Sequence, residues 1–307
     1  MDINQILKSE FNLRDSQIEN TIKLIDEGNT IPFIARYRKE MTGEMSDVTL
    51  RAFHEKLTYL RNLQSRKDDV QRIIQEQGKL NKEIEKSIEQ AKTLQEVEDI
   101  YAPFKQKKRT RATIAKEKGL EPLAMAILNE NINLKIEIPK YIDEEKEVNS
   151  EEDALKGAKD IIAEIVSEDA KLRKYIRELA LKEGVINSKS TKDEKSVYDM
   201  YYDYSEGVKH MAPHRVLAIN RGEKEEFLKV KLEINNDKVV NYIFNTYINK
   251  NNKNNEEEIK LSIEDAYKRL IFPSIEREIR NHLTEMALKE LLVYLDKMLR
   301  VYYFNHL

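Results

Sequence analysis

Asp47-Val-Thr-Leu-Arg-Ala-Phe-His-Glu-Lys-Leu-Thr-Tyr-Leu-Arg-Asn-Leu-Gln-Ser-Arg-Lys-Asp-Asp-Val-Gln-Arg-Ile-Ile-Gln-Glu-Gln-Gly78 decides the fold. Leu50, Phe53, Leu57, Leu60, Leu63, Val70, Ile73 and Ile74 recur in it at steps of three and four. That repeat puts these apolar side chains on one face of a long helix and leaves the rest to solvent. Upstream, Asp15-Ser16-Gln-Ile-Glu19 reads as a capping box, with the Ser16 hydroxyl accepting from a free first-turn N–H, and Gly28 supplies a left-handed stop. Downstream, Asn81 opens a helix with Ile84, Ile88 and Ala91 inward, and Thr93-Leu-Gln-Glu96 caps the next, which Pro103 ends. Short turns between such segments imply antiparallel neighbours.

The composition agrees with a helical chain. Across 307 residues, 40% are hydrophobic and 36% charged, with eight Gly and six Pro, the balance of solvated helices carrying narrow apolar stripes. The length suits about two domains or one extended array. A net charge of −3 gives no global attraction to nucleic acid or to an acidic membrane, so polyanion binding has to be local. The absence of cysteine excludes disulfides, thiolate metal sites and a cysteine nucleophile. The first residues carry no secretory signal pattern, and no window approaches a membrane span. Cytoplasmic location is the expectation.

Further on, residues 138–150 turn polar and acidic. Ser150-Glu-Glu-Asp153 then caps a helix with Ala154, Ala158, Ile161, Ile165, Leu172, Ile176 and Leu179 on one side, closed by Gly184. Arg215-Val-Leu-Ala-Ile-Asn220, the turn Arg221-Gly222-Glu223, and alternating Leu228, Val230, Leu232 and Ile234 read as a β-hairpin near 214–234. Residues 249–258, rich in Asn, Lys and Glu, read as a mobile loop, and Ser262-Ile-Glu-Asp265 as the cap of a final helix through Ile279. The expected fold is mainly α, an elongated multi-helix array with one small β-hairpin. No internal repeat recurs at a fixed period.

Lys105, Lys107, Lys108, Arg109, Arg111, Lys116 and Lys118 form a basic cluster interrupted by Glu117 and preceded by Tyr101 and Phe104. Such cations neutralise phosphates and release counterions, and flanking rings stack on unpaired bases, so single-stranded RNA suits the segment. The competing reading is a basic loop lying on the acidic helix from Glu83 to Glu98 as scaffold. Arg36, Arg38 and Lys39 make a secondary basic surface after Ile31-Pro-Phe-Ile, where Pro32 starts a helical turn with Phe33 inside. There the favoured reading is a forked ion pair from Arg36 or Arg38 to a neighbouring helix.

Chemistry is not signalled. His210 and His214 stand four apart with Glu206 four before, but Pro213 breaks the helix that a metal pair would need. No strained nucleophile turn and no phosphate-cradling glycine loop occurs, and the carboxylates read as solvated helix faces. The expectation is no enzyme, no cofactor and no metal.

Four blocks in one order carry a resemblance. Thr30-Ile-Pro-Phe-Ile-Ala-Arg-Tyr-Arg-Lys-Glu40 is one, and Asp99 through Tyr101-Ala-Pro-Phe-Lys-Gln-Lys-Lys-Arg-Thr-Arg-Ala-Thr-Ile-Ala115 to Glu121-Pro-Leu-Ala124 is another. Asp203-Tyr-Ser-Glu206 with His214-Arg-Val-Leu-Ala-Ile-Asn-Arg-Gly-Glu223, and Asp265-Ala-Tyr-Lys-Arg-Leu-Ile-Phe-Pro-Ser-Ile-Glu276, complete them. Together they resemble the bacterial Tex family of transcription accessory proteins over roughly residues 1–287. The resemblance implies a cytoplasmic, mostly helical, noncatalytic RNA-binding transcription accessory protein, similar to a eukaryotic elongation factor that works on RNA polymerase. It implies RNA or another single strand, held weakly, and RNA polymerase as partners. The alternative it leaves open is a protein-interaction platform with no nucleic-acid binding of its own.

The family continues into an RNase H-like domain, helix-hairpin-helix elements and a C-terminal OB-fold, none of which falls within this sequence. The expected organisation is an N-terminal region at 1–125, a central helical region at 126–285 and a divergent tail at 286–307. The tail departs from the family's Leu-Leu-Leu-Gln-Pro-Pro segment. One set of permitted codons, read from the last base of the Met298 codon, spells Ala-Lys-Ser-Leu-Leu-Leu-Gln-Pro-Pro. A frameshift and a truncated product are therefore expected.

Overall fold

A computed structural model describes residues 2–105, 109–192 and 194–304. It divides into two compact units, one ending at Lys105 and the other made of the residues after it.

The first unit is helical: α1 (Ile3–Phe11), α2 (Asp15–Asp26), α3 (Ile31–Tyr37), α4 (Lys39–Thr42), α5 (Asp47–Glu76), α6 (Lys82–Gln90) and α7 (Leu94–Tyr101). The long α5 starts where Ser46 Oγ accepts from Thr49 N at 3.1 Å and is the spine the apolar spacing describes. Its face enters three core clusters in turn: Leu50 with Leu24, Ile34 and Met45; Phe53, Leu57 and Leu60 with Leu7 and Ile18; then Leu63, Val70 and Ile74 with Ile88 and Val97. Asn81 and Thr93 cap α6 and α7 as their side chains require, accepting from Ile84 N and Glu96 N.

At α2 the cap is displaced. Arg14 is the N-cap residue, and Gln17 Oε1 accepts from Arg14 N at 2.9 Å, so Ser16 is already inside the helix. Gly43 ends α4 at φ 70°, a left-handed conformation that favours glycine, and a Cβ there would push the Gln17 amide aside.

The second unit contains α8 (Arg111–Glu117), α9 (Glu121–Asn129), α10 (Leu134–Glu137), α11 (Glu151–Ser167), α12 (Ala170–Glu183), α13 (Pro213–Lys224), α14 (Asn236–Tyr247), α15 (Glu256–Asp265) and α16 (Phe272–Phe304). The single helix expected from Ser150 to Gly184 is two. Asp169 accepts from Lys171 N and Leu172 N and starts α12 afresh. Ala154, Ala158, Ile161, Ile162, Ala163 and Val166 of α11 are buried, which makes it the unit's central helix.

The hairpin is corrected to a three-stranded antiparallel sheet in the order β2-β1-β3, with β1 Val185–Ser190, β2 Asp203–Gly207 and β3 Leu228–Glu233. Residues 215–220 are helical, because Pro213 fixes a helical first turn and Val216, Ile219 and Gly222 bury one side of α13. The strand that pairs with β3 is β1, with Ile186 opposite Leu232 and Ser188 opposite Val230. Glu276 of α16 accepts from Leu232 N at 2.7 Å, so a helix side chain covers an N–H of the edge strand.

Ser262 is not a cap either. It sits inside α15, and its hydroxyl donates to Glu258 O. The chain passes from α15 through a π turn at Ala266–Ile271 into α16. Pro273 lacks an N–H for the α-helical ladder, and a widened turn before it is one way a helix absorbs that loss. The helix continues past Ile279 to Phe304, and Leu288, Leu292, Tyr294 and Met298 are exposed on it.

Candidate nucleic-acid interface

The aromatic half of the predicted basic site belongs to the first unit. The turn Ala102–Phe104 that follows α7 lays Tyr101 and Phe104 against the core of Leu63, Ile88 and Val97, where both are half-buried. Arg66 of α5 stands 5.3 Å from the Tyr101 ring centroid and Lys105 5.6 Å from it, so the ring already holds cations. Both cations pair with Glu98, Arg66 Nε and Lys105 Nζ each at 2.7 Å. Burial pushes the Glu98 carboxyl up, but the hydrogen bonds from Arg66 and Lys105 outweigh it and hold the group below the usual carboxylate range. Gln77 Nε2 donates to Phe104 O at 3.0 Å. This end of the cluster is therefore the scaffold arrangement, a basic residue docked on the acidic helix.

Lys107 and Lys108 lie outside the described residues. In the second unit, Arg109 pairs with Glu117 at 2.9 Å, with both side chains largely in solvent. Lys116 pairs with Glu164 and Lys118 with Glu147. Arg111 opens α8, capped by Thr110, and is exposed, with no side-chain hydrogen bond or ion pair among the described residues. It lines a cleft of about 780 Å³ with Lys118, Lys156, Glu147, Asp153 and Asp160. Burial raises the Asp160 carboxyl, against the pull of Arg269 and Arg111.

Among the described residues, the secondary surface shows no interhelical fork of the kind expected of it. Arg38 Nη1 donates to the adjacent Tyr37 O at 2.9 Å, and its guanidinium lies 5.4 Å from the Phe33 ring. Phe33, expected inside, is 36% exposed, its ring tilted against that of Tyr37 with centroids 5.3 Å apart. Arg36 and Lys39 are exposed and without a side-chain partner among the described residues.

The partner that sequence reasoning missed is Arg66, which stands three residues after Leu63 and four before Val70, in the gap of the apolar repeat of α5. Among the described residues no group of three or more metal-ligating side chains is gathered, and no helix is long and apolar enough to cross a membrane. His210 and His214 fall in different elements, a 3-10 turn and α13.

Comparison with known proteins gives two family matches: the Tex-like protein N-terminal domain over residues 1–75 and the Tex central region-like model over 129–293. An uncharacterized protein YdcI of Bacillus subtilis is 47% identical over 93% of this chain and 40% of its own length. The transcriptional accessory protein Tex of Neisseria gonorrhoeae is 40% identical over 77% of this chain and 32% of its own. The human S1 RNA-binding domain-containing protein 1 is 31% identical over 97% of this chain and 32% of its own. The chain thus spans well under half the length of these relatives. Two successive models of one family, matched in order across most of the sequence, make this chain a member of the Tex family.

Proposed function

We propose that the chain is a noncatalytic, RNA-associated part of a transcription accessory protein working in the cytoplasm. The relatives named for transcription and for RNA binding support that class of role. The observation that carries the contact is Arg111, exposed at the start of α8 with no side-chain hydrogen bond or ion pair among the described residues, beside Arg109 whose carboxylate partner is itself exposed. An exposed ion pair is worth little, so a phosphate displaces Glu117 from Arg109 at small cost. The test is a salt titration of binding to a single-stranded RNA. Each phosphate contact contributes about 0.7 to the slope of log K against log salt. Arg109→Ala/Arg111→Ala then flattens the slope by about 1.4; an unchanged slope removes this surface from the reading.

The second reading, a platform that touches only protein, is favoured by one observation. Lys105, Tyr101 and Phe104 are engaged within their own unit and leave no ring free to stack on a base. On that reading the fragment shows no RNA binding at low salt and co-purifies with RNA polymerase or another component of the transcription machinery.

A further inference from the structure

The outward face of the three-stranded sheet presents Lys189 of β1 directly opposite Lys229 of β3, with Lys231 one pleat repeat further along β3 opposite Asn187. The alternation in β3 is strict: Leu228, Val230 and Leu232 are buried, while Lys229, Lys231 and Glu233 are exposed. Like charges directly opposite on one face of an antiparallel pair repel and weaken the sheet. None of the three ammoniums has a hydrogen bond or ion pair among the described residues, in contrast to Lys105, Lys116 and Lys118. At the same end, Lys192 lies over the Phe227 ring at 4.2 Å rather than against a carboxylate. Acidic residues on this face are at its margins: Asp203 of β2 opposite Lys189, and Glu233 opposite Val185.

We propose that this sheet face, through Lys189, Lys229 and Lys231, is a phosphate-backbone contact surface for single-stranded RNA. The inference rests on the reading that the chain binds RNA, and names a surface separate from Arg109 and Arg111. Two lysines one strand apart and two about 7 Å apart along β3 form a grid that follows an extended, singly charged repeat. Asn187, across from Lys231, and Ser205 beyond it on β2 add an amide and a hydroxyl suited to phosphate and sugar oxygens. An acidic protein segment is the less fitting occupant, since acidic-motif recognition draws on arginine forks, whereas the strand cations of this face are lysines. Asp203 offsets the Lys189–Lys229 repulsion from one side only, and the exposed lysines of β3 remain for a polyanion to neutralise.

The experiment titrates binding of a labelled single-stranded RNA to the full chain with potassium chloride. It compares the natural sequence, Lys189→Gln/Lys229→Gln/Lys231→Gln, the same three positions changed to Arg, and Arg109→Ala/Arg111→Ala. The glutamine triple is expected to lower the slope by about 2 with an undiminished melting temperature, and the arginine triple to keep the slope. A glutamine triple with the natural slope, while the natural chain binds RNA, overturns the sheet proposal and leaves the broader reading standing. Binding of a polyglutamate peptide that the glutamine triple abolishes, with RNA binding untouched, overturns it in favour of an acidic partner. No RNA binding by the natural chain at the lowest salt overturns both.

Discussion

Lys105 Nζ lies 2.7 Å from Glu98 Oε2, on a carboxylate that also accepts from Arg66 at 2.7 Å. A lysine already neutralised by its own unit adds little to binding of an external polyanion. Lys105→Ala is therefore expected to leave the RNA salt slope within about 0.3 of the natural value, and to cost less than about 1 kcal/mol in stability because the pair is partly in solvent. Urea denaturation and the salt titration, run on one preparation, check both.

The same carboxylate sets an acid response. Glu98 is held below its ordinary value of 4.5 in the folded chain, so the unfolded state takes up its proton first as pH falls. The stability it contributes is fully present above about pH 4.5 and is lost as pH drops through the lower folded value. Glu98→Gln is expected to lack that component, so its stability should fall less than that of the natural chain between pH 5 and about pH 3. Equal losses in the two chains would remove Glu98 as a source of acid sensitivity.

Lys67, 3% exposed on α5, donates to Glu89 O at 2.8 Å. Burial lowers its ammonium below the ordinary lysine value, partly offset by Glu96 and Glu89. Glu89 is in the last turn of α6, whose carbonyls lack intrahelical donors, so Lys67 satisfies an acceptor that water does not reach well. Lys67→Met keeps the packing and removes the donor, with an expected cost of about 1–3 kcal/mol by urea denaturation.

Gly184 closes α12 as its position in the sequence suggests, but for a steric reason that no spacing reveals. Its N–H donates to Ala180 O at 2.9 Å, and a Cβ on Gly184 would lie 2.3 Å from that oxygen. The atom is backbone and cannot swing aside. Gly184→Ala is expected to destabilise by about 1–3 kcal/mol and to lower the melting temperature; Gly28, by contrast, has open space around its Cβ position and is held to glycine by its φ of 81°.

The elements that were legible were those whose local chemistry and burial agree. In α5 the three-four repeat coincides with the buried side, and Asn81, Thr93 and Ser150 each cap the helix they precede. The misread elements are those where tertiary contacts outweigh local pattern. Val216 and Ile219 suit a strand or a helix equally, and only β1, upstream of β2 and α13, shows what β3 pairs with. Asp169 breaks the 150–184 pattern without disturbing its apolar phase. At the basic segment, the sequence shows charge but not pairing, and whether a lysine is free depends on carboxylates such as Glu98 and Glu164 brought near by folding.

The Asn-rich segment shows the same lesson and carries the last prediction. Residues 249–258 look unable to offset their ordering cost, yet Asn252 and Asn255 are buried. Asn252 Nδ2 donates to Leu128 O at 2.6 Å and to Tyr247 O at 2.8 Å, while Asn255 Nδ2 donates to Ile127 O and Glu130 O. These carbonyls terminate α9 and α14, so side-chain amides from a polar segment supply the donors that two helix ends lack. Asn252→Ala strips two buried acceptors of their partner, at an expected cost of about 1–3 kcal/mol. Asn252→Asp is the sharper variant, because it preserves shape while turning a carboxylate toward two carbonyl oxygens. Its cost should exceed that of alanine at pH 7 and shrink toward it as acid neutralises the carboxylate, since burial among acceptors raises the pKa of such a group. A mobile, solvated segment would instead tolerate both changes within about 0.5 kcal/mol.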